Sequence, residues 1–151
     1  MGDRGSESGI RIVEAIGVDD ALVSVMAQLV TQLSRSNPPP DAATLEAIVG
    51  SEASALLLAL NEEGAVVGSL TLVLFRIPTG LRAWIEDVVV DEAARGRGVG
   101  EALNREAIGR ARAEGATTVD LTSRPSREAA NRLYRRLGFE ERATNVYRLV
   151  L

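Results

Sequence analysis

The sequence predicts an α/β (α+β) domain, a central mixed sheet of about six to seven strands flanked by about four helices, and three observations predict it. Ala53–Leu60 and Ala65–Arg76 are apolar runs separated by Asn61-Glu62-Glu63-Gly64, whose turn chemistry suits an antiparallel hairpin. Trp84 to Leu103 reads WIEDVVVDEAARGRGVGEAL: a β-branched run, an arginine and glycine turn, then an alanine and leucine run of helical character. Beyond it, helical and strand patterns alternate.

In order, Met1–Gly9 is polar and glycine-rich and reads as a disordered tail, leaving residues 10–151 as a single domain. Ile10–Ile16 alternates apolar and charged residues as a first strand. Asp19 or Asp20 caps a helix in which Leu22, Val25, Met26, Leu29, Val30 and Leu33 form one buried stripe. Ser36-Asn37-Pro38-Pro39-Pro40 breaks it, and Asp41 opens a short helix to about Ser51. The hairpin follows, and Ile77-Pro78-Thr79-Gly80 turns the chain into a central strand, Leu81–Val90. A long helix from Gly98 to Glu114, a strand from Ala116 to Thr122 and a helix from Ser126 to Leu137 come next. Phe139–Arg142 and Asn145–Val150 read as a closing pair of strands.

The turn after Val90 carries the chemistry. Gly96, Gly98 and Gly100 leave little side chain over it, so backbone N–H groups can converge on an anion at the positive end of the following helix. Arg95 and Arg97 add charge and bidentate donors. A phosphate fits. A Rossmann G-x-G-x-x-G fails, because its third glycine falls on Glu101 or Leu103, although Asp120 stands where that motif wants an acid. A P-loop fails too, since the chain contains no lysine.

Arg95-x-x-Gly98-x-Gly100 after a Glu-Asp-bearing strand, followed by Leu133-Tyr134-Arg135-Arg136-Leu137-Gly138-Phe139, resembles the acetyl-CoA motifs of the GNAT superfamily of N-acetyltransferases. The resemblance is close over about the last 70 residues. It implies a GNAT-like acyl-CoA N-acyltransferase fold and acetyl-CoA as co-substrate. Val88 and Val90 would pair their backbones with the pantetheine arm, and the amides from Arg95 to Gly100, through Gly96, Arg97, Gly98 and Val99, would take the pyrophosphate. Where many members place an asparagine this chain has Arg127; Asn131 could still reach the cofactor, and Arg124 and Arg127 could touch its phosphates or simply be solvated.

With no cysteine and no histidine there is no thiolate, imidazole base or Ser-His-Asp triad, and metal sites are not expected. Proton transfer must use carboxylates, tyrosines, waters or backbone groups. That suits direct acyl transfer from a thioester to an amine. Residues 1–75 carry net −7 and residues 76–151 net +3, which suits a polyanion on the second half and a cationic amine on the first. A pI near 5.0 with 3% aromatics argues against nucleic acid. No uncharged apolar run of about 18 residues or signal peptide is visible, so a cytoplasmic, non-membrane protein is expected.

About one primary amine in 10³ is unprotonated at pH 7, so a base is needed. Strand alternation puts Glu86 with Trp84, Val88 and Val90, and Asp87 with Ile85, Val89 and Asp91, so only one of the two acids can face the cleft. The resemblance favours Glu86 as general base through a water, and Tyr134 as the acid that protonates the departing thiolate. Tyr134 also belongs to a helical stripe with Ala130, Leu133 and Leu137, where packing is its ordinary role. Trp84 is a candidate to line the acceptor pocket. The acceptor is expected to be a small-molecule or peptide amine; the alternative is a catalytically idle acyl-CoA sensor on the same fold. Dimerisation is common in such proteins, and exposed C-terminal strand edges could mediate a homodimer.

Overall fold

A computed structural model describes residues 9–151. Most of the predicted tail, Met1–Ser8, lies outside the described residues. The elements run β1 (Arg11–Glu14), α1 (Asp20–Leu33), α2 (Ala42–Val49), β2 (Ser54–Leu60), β3 (Val66–Ile77), β4 (Gly80–Val90), α3 (Val99–Ala113), β5 (Thr118–Asp120) and α4 (Glu128–Arg136). One five-stranded sheet has the order β1-β2-β3-β4-β5. Its first three pairings are antiparallel and β4 with β5 is parallel.

Local chemistry sets the boundaries. The carboxylates of Asp19 and Asp41 each accept a backbone N–H three residues on, from Leu22 and Thr44, both at 2.8 Å, satisfying donors that a helix start leaves free. The β2–β3 turn is closed by Asn61, whose side-chain oxygen accepts from Ala65 N–H at 2.8 Å, and Gly64 supplies the φ of +82° it requires.

Two cores form because β2 alternates with a period of two. Leu57 and Ala59 pack with Leu70, Leu72 and the α3 stripe Val99, Leu103, Ala107 and Ala111. Leu56 and Leu58 pack on the other face with Leu22, Met26 and Leu29 of α1 and Leu45 of α2. The close approach of α3 depends on Gly68 of β3. A Cβ there would lie 2.9 Å from Val99 Cγ1 and 3.0 Å from the Val89 carbonyl oxygen.

Three expectations are corrected. The sheet has five strands among the described residues. Phe139–Arg142 and Asn145–Val150 form no strand: Phe139 packs on the α3-side core, but beyond it the chain is exposed and pairs with no strand of the sheet, the free edge of β5 included. A period-two pattern makes a strand only where a second strand supplies hydrogen bonds. The third correction concerns side-chain parity in β4. Between the pairs Thr71↔Glu86 and Ser69↔Val89, β3 has one residue and β4 has two, and Asp87 takes φ +51°. This bulge flips the alternation. Val88 and Val90 therefore pack on the α3 side with Ile85, and no longer share a face with Trp84 and Glu86 as strict alternation predicts.

Gly68→Ala should lower stability by about 1–3 kcal/mol, because backbone and not only a rotamer must move to admit the methyl. Denaturant unfolding measures this; a variant as stable as the parent would show that α3 has slack over β3.

Candidate active site

The site is built where two strands part. β5 pairs with β4 over only Arg82–Trp84 against Thr118–Asp120. Past that point a small cleft of about 130 Å³ opens, lined by Glu86, Asp87 and Val88 of β4, Leu121 and Thr122 beyond β5, and Arg127 and Tyr134, with Leu33 and Ile85 completing it. It is smaller than the roughly 300 Å³ of a pocket that encloses a drug-sized ligand, so it fits the reacting end of a larger molecule.

Tyr134 is buried, 7% exposed, and held edge-on by Phe139 with ring centroids 5.8 Å apart. Burial raises its phenol above the ordinary value of 10, with the Arg127 charge acting in the opposite sense. The hydroxyl makes no hydrogen bond among the described residues, so a neutral donor sits at the cleft. Glu86 is exposed, and its carboxylate accepts a 2.6 Å hydrogen bond from the Trp84 indole N–H. Trp84 thus touches the cleft through Glu86 and does not line it.

The three glycines of the turn are not equivalent. Gly96 and Gly98 have φ of +78° and +79°, whereas Gly100 is inside the first turn of α3. Gly98 is the N-cap residue and gives no side-chain cap. The first helical hydrogen bond is Ala102 N–H to the Gly98 carbonyl, leaving the amides of Val99, Gly100 and Glu101 without partners among the described residues. Arg95 and Arg97 are exposed beside them, while Val99 is buried. These amides sit at the positive end of a 15-residue helix, an environment that fits a diphosphate. Gly100 connects turn and cleft: a Cβ there would lie 3.6 Å from Leu133, the neighbour of Tyr134, and 3.8 Å from Val90.

Of the residues singled out in sequence, Glu86, Asp87, Val88, Arg127 and Tyr134 meet at the cleft, the bulge letting both acids line it where strict alternation allows one, and Val90 with Arg95–Gly100 leads away from it. Asn131 does not line it. Its side-chain nitrogen donates to the Arg124 carbonyl at 3.0 Å, closing the loop before α4. Sequence reasoning missed Leu33, Leu121 and Thr122, which carry no chemical signature, and Asn104, whose side chain is buried and donates to the Gly100 carbonyl at 2.8 Å. An asparagine inside an apolar helical stripe was the available signal.

The Acetyltransferase (GNAT) family model matches residues 23–139. The chain belongs to this acetyltransferase family. Solved structures similar to this GNAT chain include an acetyltransferase from Trypanosoma brucei, 26% identical, with a TM-score of 0.76 over 94% of this chain and 99% of that one. A putative acetyltransferase from Agrobacterium tumefaciens is 24% identical with a TM-score of 0.81 over 93% and 99%. Glucosamine-6-phosphate N-acetyltransferase from Arabidopsis thaliana, 17% identical, has a TM-score of 0.76 over 93% and 97%, a likeness of fold. No curated protein sequence matches the chain. Among the described residues no helix is long and apolar enough to cross a membrane, and no cluster of three or more His, Cys, Asp or Glu could hold a metal.

Gly98→Ala should cost this GNAT domain about 1–2 kcal/mol of stability, because the methyl enters a left-handed conformation. Gly100→Ala should be neutral within about 1 kcal/mol, its φ being helical and its Cβ contacts ordinary. Thermal unfolding of both compares them; equal losses would contradict the distinction.

Proposed function

We propose that residues 10–151 form one acetyl-CoA-dependent N-acetyltransferase unit, which moves an acetyl group directly to a primary amine of a small molecule or peptide in a ternary complex. The single observation that carries this reading is that a carboxylate and a buried neutral phenol face one cleft, at the place where β4 has just parted from β5.

When bound, acetyl-CoA supplies a thioester activated toward an amine nucleophile. The chain's residues do the rest. The free amides at the start of α3, with Arg95 and Arg97, hold the diphosphate, and the β4 edge at Val88 and Val90, freed by the departure of β5, offers backbone groups to the pantetheine arm. Glu86 takes the proton that the amine must lose, through a water, and the Trp84 indole fixes its carboxylate. Tyr134 gives its proton to the sulfur that departs. Its raised pKa keeps it a donor across the neutral range, and that donor form is lost only above pH 10. Asn131 is proposed to act on the cofactor indirectly, through the loop it fastens.

Tyr134→Phe should leave coenzyme A affinity within a few fold and reduce kcat by roughly 10²-fold, the lower end of what a positioned proton donor contributes. Stopped thiol-release assays against an amine panel measure it, and an unchanged kcat removes the assignment. For Glu86→Gln the activity ratio to the parent should rise toward unity as pH approaches the amine pKa. A ratio constant with pH would show that Glu86 is not the base.

A further inference from the structure

One face of the β3–β4 hairpin leads out of the cleft and is left bare. The pairings Thr71↔Glu86, Val73↔Trp84 and Phe75↔Arg82 put these side chains together on the face opposite the α3 core. Where α1 and α2 cover that face, Leu56 and Leu58 of β2 are buried. Farther along it is open among the described residues: Phe75 is 37% exposed, Ile77 42%, and Val73 and Trp84 are half-buried. Glu86 stands at the cleft end of this apolar platform, tied to the Trp84 indole at 2.6 Å. Asp120, paired with Trp84 across β5, adds a second carboxylate to the same face. The guanidinium of Arg82 donates to the hydroxyls of Thr79, Thr117 and Thr118 at 2.9, 3.1 and 3.2 Å.

We propose, resting on the acetyltransferase reading, that this platform selects the acceptor, and that the acceptor is a primary amine carried two or three carbons from an aromatic ring. The small cleft holds only the reacting end, so the body of the acceptor must lie outside it. Packed core closes the α3 side. An amine whose proton goes to Glu86 therefore arrives over the face that Glu86 shares with Trp84. Residues two apart on a strand are separated by roughly 7 Å, so a ring on such a tether falls beside Trp84 and Val73, with Phe75 at its outer end. Aromatic rings there gain from offset or edge-to-face contact beyond the area they bury. Charge narrows the class. The ammonium form is drawn to Glu86 and Asp120, whereas an acceptor phosphate would meet those carboxylates and an Arg82 already engaged by hydroxyls. A polyhydroxylated ring would lay its hydroxyls on apolar side chains that offer them no hydrogen bonds.

Trp84 is the chain's single tryptophan, so its fluorescence reports on the platform directly. With coenzyme A present, phenylethylamine titrated into the full chain should change that emission saturably, and ethanolamine and glucosamine-6-phosphate should not. In thiol-release assays, kcat/KM for phenylethylamine should exceed that for either by roughly tenfold or more, the effect of covering an aromatic ring. Phe75→Ser changes a side chain already in contact with solvent, and should shrink that preference by roughly fivefold. A saturable emission change with no amine acetylated keeps the platform and removes the acetyltransferase reading. Acetylation of all three amines with equal efficiency, or a preference that Phe75→Ser leaves intact, overturns the platform and leaves the transferase. An emission unmoved by phenylethylamine overturns it as well. So does a dimer in light scattering that Phe75→Ser/Ile77→Ser dissociates, since a second copy would then occupy the face.

Discussion

One extra residue in β4 decides where the chemistry can occur. Opposite Leu70, β4 places both Asp87 and Val88, and the backbone absorbs them with a left-handed residue at Asp87. The bulge bends the strand just past its last pair with β5, so the two parallel neighbours diverge and their facing edges are left without partners. Unpaired backbone groups at a sheet edge demand hydrogen bonds. In a closed sheet that demand would be met by β5; here it is left open at a cleft, where the proposed pantetheine arm would meet it.

The same bulge reconciles two requirements that regular alternation sets against each other. Val88 and Val90 turn toward the α3 core and help seat the helix, while Glu86 keeps its face and its carboxylate in the open part of the cleft. Gly68 works with it, since only a residue without Cβ lets α3 press so close that its uncapped N-terminus stands beside β4. Position of the helix and position of the carboxylate are thus set by neighbouring residues of two paired strands.

What could be read from sequence was whatever chemistry writes locally. Asp19 and Asp41 announce helix starts, Asn61 to Gly64 announces a hairpin, and the arginine and glycine run announces the turn into α3; all three stand as local structures. What could not be read depends on distant partners. A bulge exists only in the register between two strands, so the faces of Val88 and Val90 were misassigned. The alternating residues after Phe139 have the pattern of a strand but pair with no edge in their own chain. Glu86 and Tyr134, 48 positions apart, reach one cleft because α4 returns over the gap beside β5. Leu33 reaches the same cleft from α1 with no sequence signal at all.

The claim on which the rest depends is that unsatisfied amides between Gly96 and Glu101 hold a diphosphate and so direct a thioester into the gap between β4 and β5. Amide resonances followed while coenzyme A is titrated into the ¹⁵N-labelled chain test it most directly. Saturating shifts concentrated at Gly96–Glu101 and continuing along Val88–Val90 are expected. Shifts absent from that turn, or confined to the α1 and α2 face of the sheet, would contradict it.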